Sequence, residues 1–309
     1  MTDSSHSCRD LDISSPTYWR DRWQQMKRAR DADPYVASAG EYWSNRKNVT
    51  ELYVKSRTRQ AWTGKVDAQF KAMKIPPGAR VLDIGGGTGT HAVPLAAMGC
   101  DVTVVEPSGA MREELEKNLS SSGAGAITVI PTRWEDVIPG KMGGPFDIVM
   151  ASYSLSMEDI GNAITTMQAC CRGFVHLFWF LTPPSWARVS YDLWPLLYGR
   201  KYPGDPLADI LWQALYEMGI YADMTTERKK ETVYPDVGEA VQEYCQRLDI
   251  PTGPQEAVLK EYFSHKLRPC GTGFVLDGVS CSAHISWDAG AITNPSRTGL
   301  SGSSGGGVR

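Results

Sequence analysis

The chain has 309 residues, of which 42% are hydrophobic, and its formal net charge is −3. That length allows one large domain or a domain with a cap, and the hydrophobic share is enough for a real core. The slightly acidic balance argues against a general nucleic-acid binder, no apolar run reaches the length of a membrane span, and the polar N-terminus is no signal peptide. The seven cysteines, at positions 8, 100, 170, 171, 245, 270 and 281, form no C-x-x-C pair. No metal site is expected from them, and their scatter suits a reducing, cytoplasmic setting. The run Arg228-Lys229-Lys230 lies between Glu227 and Glu231 and reads as a solvated face.

In chain order, residues 1–15 are polar and expected to be disordered. Residues 16–30 read as a helix, with Trp19 and Trp23 at i, i+4 spacing, either packed on the main domain or serving as a lid. Two more helices are expected over 40–53 and 56–73, so that 16–75 form an N-terminal helical cover. Pro76-Pro77-Gly78 is a turn. Val81, Leu82 and Ile84 form a short apolar run like that of a buried parallel strand. Gly85, Gly86, Gly87 and Gly89 follow, then a short helix over 91–98 closed by Gly99. Strand, glycine turn and helix together bring bare backbone close to a nucleotide. The next strand, 101–105, ends in Glu106, roughly 20 residues beyond the first glycine, where a carboxylate can hold two ribose hydroxyls.

Two cofactor classes fit such a unit, a dinucleotide and S-adenosylmethionine. The spacing is Asp83-x-Gly85-x-Gly87-x-Gly89 rather than G-x-G-x-x-G. Asp83 would repel a pyrophosphate, whereas it suits a ligand carrying a sulfonium and an ammonium.

Beyond Glu106, a helix is expected from Ser108 to about residue 118, a loop at 120–125, and a third strand at 126–130. A fourth strand spans 146–151, with Asp147 at its start read as structural. An amphipathic helix over 157–172 ends at Gly173. A strongly apolar fifth strand, 174–181, holds His176, which reads as a core histidine. Residues 182–206 are rich in rings: Trp186, Tyr191, Trp194, Tyr198 and Tyr202 form either a wall for an organic substrate or a packed cap. A helix at 209–218, a long sixth strand at 220–234 broken near its charged run, and helices at 237–248 and 256–266 follow. Asp277-Gly278 signals a hairpin between 273–276 and 279–287. Residues 289–309 are glycine/serine-rich and expected to be disordered.

The stretches Val81–Thr90, Glu106-Pro107-Ser108, Trp134-Glu135-Asp136 and Phe146-Asp147-Ile148-Val149 resemble the class I S-adenosylmethionine-dependent methyltransferases. The resemblance covers roughly residues 40–288. It implies an α/β fold: a doubly wound, seven-stranded, mostly parallel sheet of the Rossmann-like methyltransferase kind, with an antiparallel last strand. The methyltransferase domain would be 76–288, with 182–206 and 236–267 as insertions forming a substrate cap.

By the same resemblance, S-adenosylmethionine is the cofactor. Asp83, Gly85, Gly86, Gly87 and Gly89 would line the first turn, and Glu106 would take the ribose. Pro107, Trp134 and Glu135 would surround the adenine. Arg133 and Trp134 stand where relatives often have an acid followed by a small residue. Ser152 would offer backbone to the methionine end. Trp43, Arg46 and Tyr53 resemble a W-x-x-R…Y pattern that covers the cofactor, or else they form a helix packed on the sheet edge. Tyr153, after the fourth strand, would face the acceptor. Glu158 and His91 are secondary candidates for proton removal, though Glu158 fits the first turn of its helix equally well and His91 the start of its own.

The implied activity is in-line methyl transfer to a small or medium organic acceptor by a monomer or homodimer, without nucleic acid or membrane as partner. The alternatives are a non-catalytic S-adenosylmethionine or nucleotide sensor or assembly module and, behind it, an NAD-dependent oxidoreductase.

Overall fold

The structure is a computed structural model that describes residues 11–45, 49, 62–229, 232–271 and 273–290. Among the described residues the helices α1 (Tyr18–Asp31), α2 (Ala39–Ser44) and α3 (Trp62–Met73) come first. An alternating stretch follows: β1 (Arg80–Ile84), α4 (Ala92–Ala97), β2 (Asp101–Val105), α5 (Gly109–Ser122), β3 (Ile127–Ile130), β4 (Phe146–Ser152), α6 (Ile160–Cys170) and β5 (Cys171–Phe180). The last part holds α7 (Ser185–Tyr198), α8 (Ala208–Glu217), β6 (Asp223–Lys229), β7 (Thr232–Tyr234), α9 (Val237–Arg247), α10 (Pro254–Lys266), β8 (Leu267–Cys270), β9 (Gly273–Leu276) and β10 (Ser280–Asp288).

The main sheet has seven strands in the order β3-β2-β1-β4-β5-β10-β6. β1 to β5 run parallel, and β10 is antiparallel to both β5 and β6. This is the doubly wound sheet with an antiparallel last strand that the sequence implied. The order reverses at β1/β4, the switch point where open α/β sheets place ligands.

The strand sequences explain the layers. Successive side chains alternate between faces. In β4, Ile148 and Met150 join Val81, Val102 and Val104 beneath Val66, Phe70 and Met73 of α3 and Leu95 of α4. Val149 and Ala151 face the other way, into a core with Trp23 of α1, Ile160 and Ile164 of α6, and Leu211 and Leu215 of α8. Trp23 is fully buried, and its indole Nε1 donates to Met157 O at 2.9 Å. The two tryptophans of α1 therefore pack this helix onto the main domain.

Four expectations change. The 273–276/279–287 pair is not a hairpin. β9 pairs with β7 and β8 in a separate three-stranded antiparallel sheet, and β10 joins the main sheet. Arg188 of α7 pins the crossing between them, donating from Nη2 to Gly278 O at 2.8 Å and from Nη1 to Val279 O at 3.1 Å. The 220–234 strand is two strands in two sheets, β6 on β10 and β7 on β9, separated at the charged run. β8 is an additional strand directly after α10. Finally, α6 ends at Cys170, and Gly173 lies inside β5, not at a helix end. A Cβ there would collide with the Asp147 carbonyl, so strand approach explains this glycine. The small sheet, α9 and α10 share a core of Tyr234, Tyr244, Leu259 and Phe263, to which α7 adds Val189 and Leu193.

Candidate functional site

The site is built where β1 ends. Gly85, Gly87 and Gly89 have φ of 66°, 56° and 79°, left-handed values that glycine adopts without steric cost. At Gly85 space is also short, since a Cβ would lie 2.5 Å from that of Ser154. Ser154 Oγ in turn donates to Ile84 O at 2.5 Å, so the residue after Tyr153 fastens the end of β4 to the start of the glycine turn.

Two carboxylates lie beneath this turn. Glu106, at the end of β2, accepts from Gly87 N at 2.9 Å and from Ser108 N at 2.8 Å and is 6% exposed. Burial pushes its carboxyl up, while the two amides and nearby Arg112 work in the other direction. Asp83 is 1% exposed and is pushed up to about 7, first by burial and then by the charge of Glu106. Among the described residues its buried Oδ2 has no hydrogen-bond partner. Such an oxygen costs free energy until a donor or cation meets it. The group fits a ligand that brings an ammonium or a sulfonium to the turn.

At the other flank, Ser108 caps α5 through Met111 N at 3.2 Å and donates its Oγ to Trp43 O at 2.6 Å. Trp43 of α2 thus meets the site through its main chain, beside Glu106 and exposed Pro107. Arg46 and Tyr53 lie outside the described residues. Trp134 is buried in the core, with Nε1 donating to Ala163 O at 3.2 Å, so its ring is held under α6. Arg133 and Glu135 pair with each other at 2.9 Å on the surface.

At the end of β4, the half-buried Ser152 has a buried Oγ with no hydrogen-bond partner among the described residues. Tyr153 has a left-handed φ of 57°, costly for a ring-bearing residue. Its N–H donates to Phe178 O at 2.9 Å, and Lys65 Nζ of α3 donates to its hydroxyl at 2.7 Å. The Tyr153 ring packs 4.9 Å from that of Phe180, which in turn meets Trp186 edge-on at 6.1 Å. Of the aromatic run 182–206, Trp186 is therefore the ring that reaches this neighbourhood. Trp194 and Tyr202 are buried in a cluster against which Trp186 and Tyr198 also pack, and Tyr198 stacks on Tyr35.

The secondary candidates turn elsewhere. His91 is buried and shares a 2.7 Å hydrogen bond between Nε2 and Gln69 Oε1. Glu158 accepts from Arg28 Nε at 2.6 Å and Gln24 Nε2 at 3.2 Å, tying α6's approach to α1. Sequence reasoning missed Lys65, Gln69 and Ser154. The signal available was that Lys65 and Gln69, four apart, flank the apolar stripe Val66, Phe70 and Met73 of α3.

A family model described as "Methyltransferase domain" matches residues 81–173, from β1 into β5. An uncharacterized protein of Haemophilus influenzae is 26% identical over 204 residues, 64% of this chain and 72% of that protein. The protein-L-isoaspartate O-methyltransferase 1 of Rhodopseudomonas palustris is 33% identical over 88 residues, 28% of this chain and 35% of that enzyme. A solved structure from Bacillus halodurans C-125 superposes with a TM-score of 0.50 at 14% identity, covering 73% of this chain and 99% of that one, and so shares the fold. The glycine turn and the two carboxylates beneath it lie within the segment 81–173, which is a methyltransferase domain with S-adenosylmethionine as its cofactor.

Proposed function

We propose that this enzyme transfers a methyl group to a small or medium organic acceptor held at the carboxyl edge of β1 and β4. The observation that carries the reading is the buried Asp83 Oδ2 under the glycine turn, which meets no hydrogen-bond partner among the described residues, with Glu106 fixed beside it by two backbone amides. The cofactor, when bound, supplies a methyl carbon made electrophilic by its sulfonium. Asp83 would stabilise the ligand's positive charge. Glu106 would accept from ribose hydroxyls, with the amides of Gly87 and Ser108 favouring its ionised form against the upward push of burial. Ser152, at the end of β4, would meet the methionine portion. The three-stranded sheet with α9 and α10, together with Trp186, would close the acceptor side.

Because the leaving group is neutral, holding the acceptor's lone pair against the methyl carbon supplies most of the rate. The chain's task is therefore to position the acceptor and exclude water. Calorimetric titration with S-adenosylmethionine, S-adenosylhomocysteine and NAD tests this reading. Micromolar binding of the first two, weakened by Glu106→Ala, is the expected outcome; binding of NAD alone would overturn it.

A further inference from the structure

We propose that Lys65 of α3 and Tyr153, the residue directly after β4, form a proton relay for an acceptor whose nucleophilic atom still carries its proton, such as a hydroxyl. The inference rests on the function proposed above. Its basis is placement. Tyr153 stands directly after the strand whose end is fastened to the glycine turn by Ser154. Its strained backbone is held by Phe178 O, and its hydroxyl lies 2.7 Å from Lys65 Nζ. Ser282 of β10 also hydrogen-bonds the Tyr153 hydroxyl, and Glu227 of β6 is the charged group that faces both Tyr153 and Lys65. Aromatic rings, Phe180 and then Trp186, continue from Tyr153 along one side.

The two groups are tuned for different tasks. Burial lowers the Lys65 ammonium to about 8, against which Glu227 acts weakly upward, so a substantial fraction is neutral amine near physiological pH. Burial raises the Tyr153 phenol to about 12, so it stays protonated and passes a proton on without itself becoming the resting base.

In the step, the acceptor oxygen forms its bond to the methyl carbon as the sulfur–carbon bond breaks. The acceptor's proton passes to Tyr153 Oη, and the proton of Tyr153 passes to the neutral Nζ of Lys65. The positive charge leaves sulfur and ends on the Lys65 ammonium, which then loses its extra proton to solvent. Lys65 is thus a positioning residue that acts through Tyr153.

The test is lysine-selective ¹³C NMR of the whole protein, with the Lys65 signal assigned by its loss in Lys65→Arg. It is titrated over about pH 6 to 11 without ligand, with S-adenosylhomocysteine and with S-adenosylmethionine. The expected titration point is about 8 without ligand, and Tyr153→Phe shifts it. The cationic cofactor should lower it by about half a unit or more relative to the neutral product, because like charges repel in a shielded cavity. Binding of both ligands with Lys65 titrating at the ordinary lysine value, or equally in both complexes, would overturn the relay and leave the cofactor reading standing. Failure of both ligands to bind would instead sink the proposed function on which the relay rests. Should Lys65→Arg fold poorly, Tyr153→Phe supplies the assignment, since it leaves the amine and changes its neighbour.

Discussion

Asp83 concentrates the energetics of the site in one residue. Its folded titration point of about 7 lies above the ordinary aspartate value of 3.8. Between these two pH values the folded chain binds more protons than the unfolded one. Asp83's favourable contribution is therefore complete below about pH 4 and is lost as pH rises through about 7. The ligand-free Asp83→Asn variant should be more stable than the parent at pH 8, by at most about 4 kcal/mol and so with a higher melting temperature, and the gap should close near pH 4. The same variant should bind S-adenosylmethionine less tightly than the parent. An equal or lower melting temperature at pH 8 would show that Asp83 is already compensated within the fold. The aspartate and its glycine spacing were legible in the sequence. The missing partner on Oδ2 was not, because it depends on what the neighbouring strands leave uncovered.

At the scale of elements, α1 is bound to the rest of the chain by polar groups as well as by Trp23. Glu217, at the end of α8, accepts from Trp19 N at 2.6 Å and Arg20 N at 3.3 Å, supplying from a distant element the cap that Thr17 does not give. Glu217→Ala should cost about 1 kcal/mol, read as a lower denaturation midpoint. Asp205 meets Lys27 Nζ at 3.0 Å and Arg30 Nε at 3.0 Å, and Lys27 is 3% exposed. Asp205→Ala strands a buried ammonium and should cost about 3–5 kcal/mol, while Asp205→Asn should cost less. A loss below about 1 kcal/mol in the alanine variant would mean that water reaches Lys27. The i, i+4 tryptophans announced the packing of α1. Glu217 and Asp205 lie nearly two hundred residues further along the chain, where no local pattern connects them to it.

For the molecule as a whole, two sheets share the chain's second half, and the candidate site lies at the reversal of strand order in the larger one. A ligand that binds the folded state alone stabilises the entire cooperative unit. S-adenosylmethionine at a hundredfold excess over its Kd should add about 2.7 kcal/mol. The shift should shrink in Glu106→Ala and in Asp83→Asn when compared at equal ligand concentration. A melting temperature that does not move with saturating ligand would contradict binding at a site built from β1, β2 and β4 together.

The sequence by itself determined the glycine turn, the acid that ends β2, the apolar strands β1 to β5 and the seven-stranded class. Each of these is written in short range, as alternation, apolar runs or glycine spacing. Only the tertiary structure decided that β9 and β10 part company, that β6 and β7 serve different sheets, that Trp134 is core, and that Lys65 meets Tyr153. Strand pairing is settled by which edges find partners across long loops, and Asp277-Gly278 carries the same local signal whether its flanking strands pair with each other or not. The Lys65–Tyr153 contact joins residues 88 positions apart. It depends on how α3 lies over the sheet, which the core of Val66, Phe70 and Met73 fixes only once that sheet has formed.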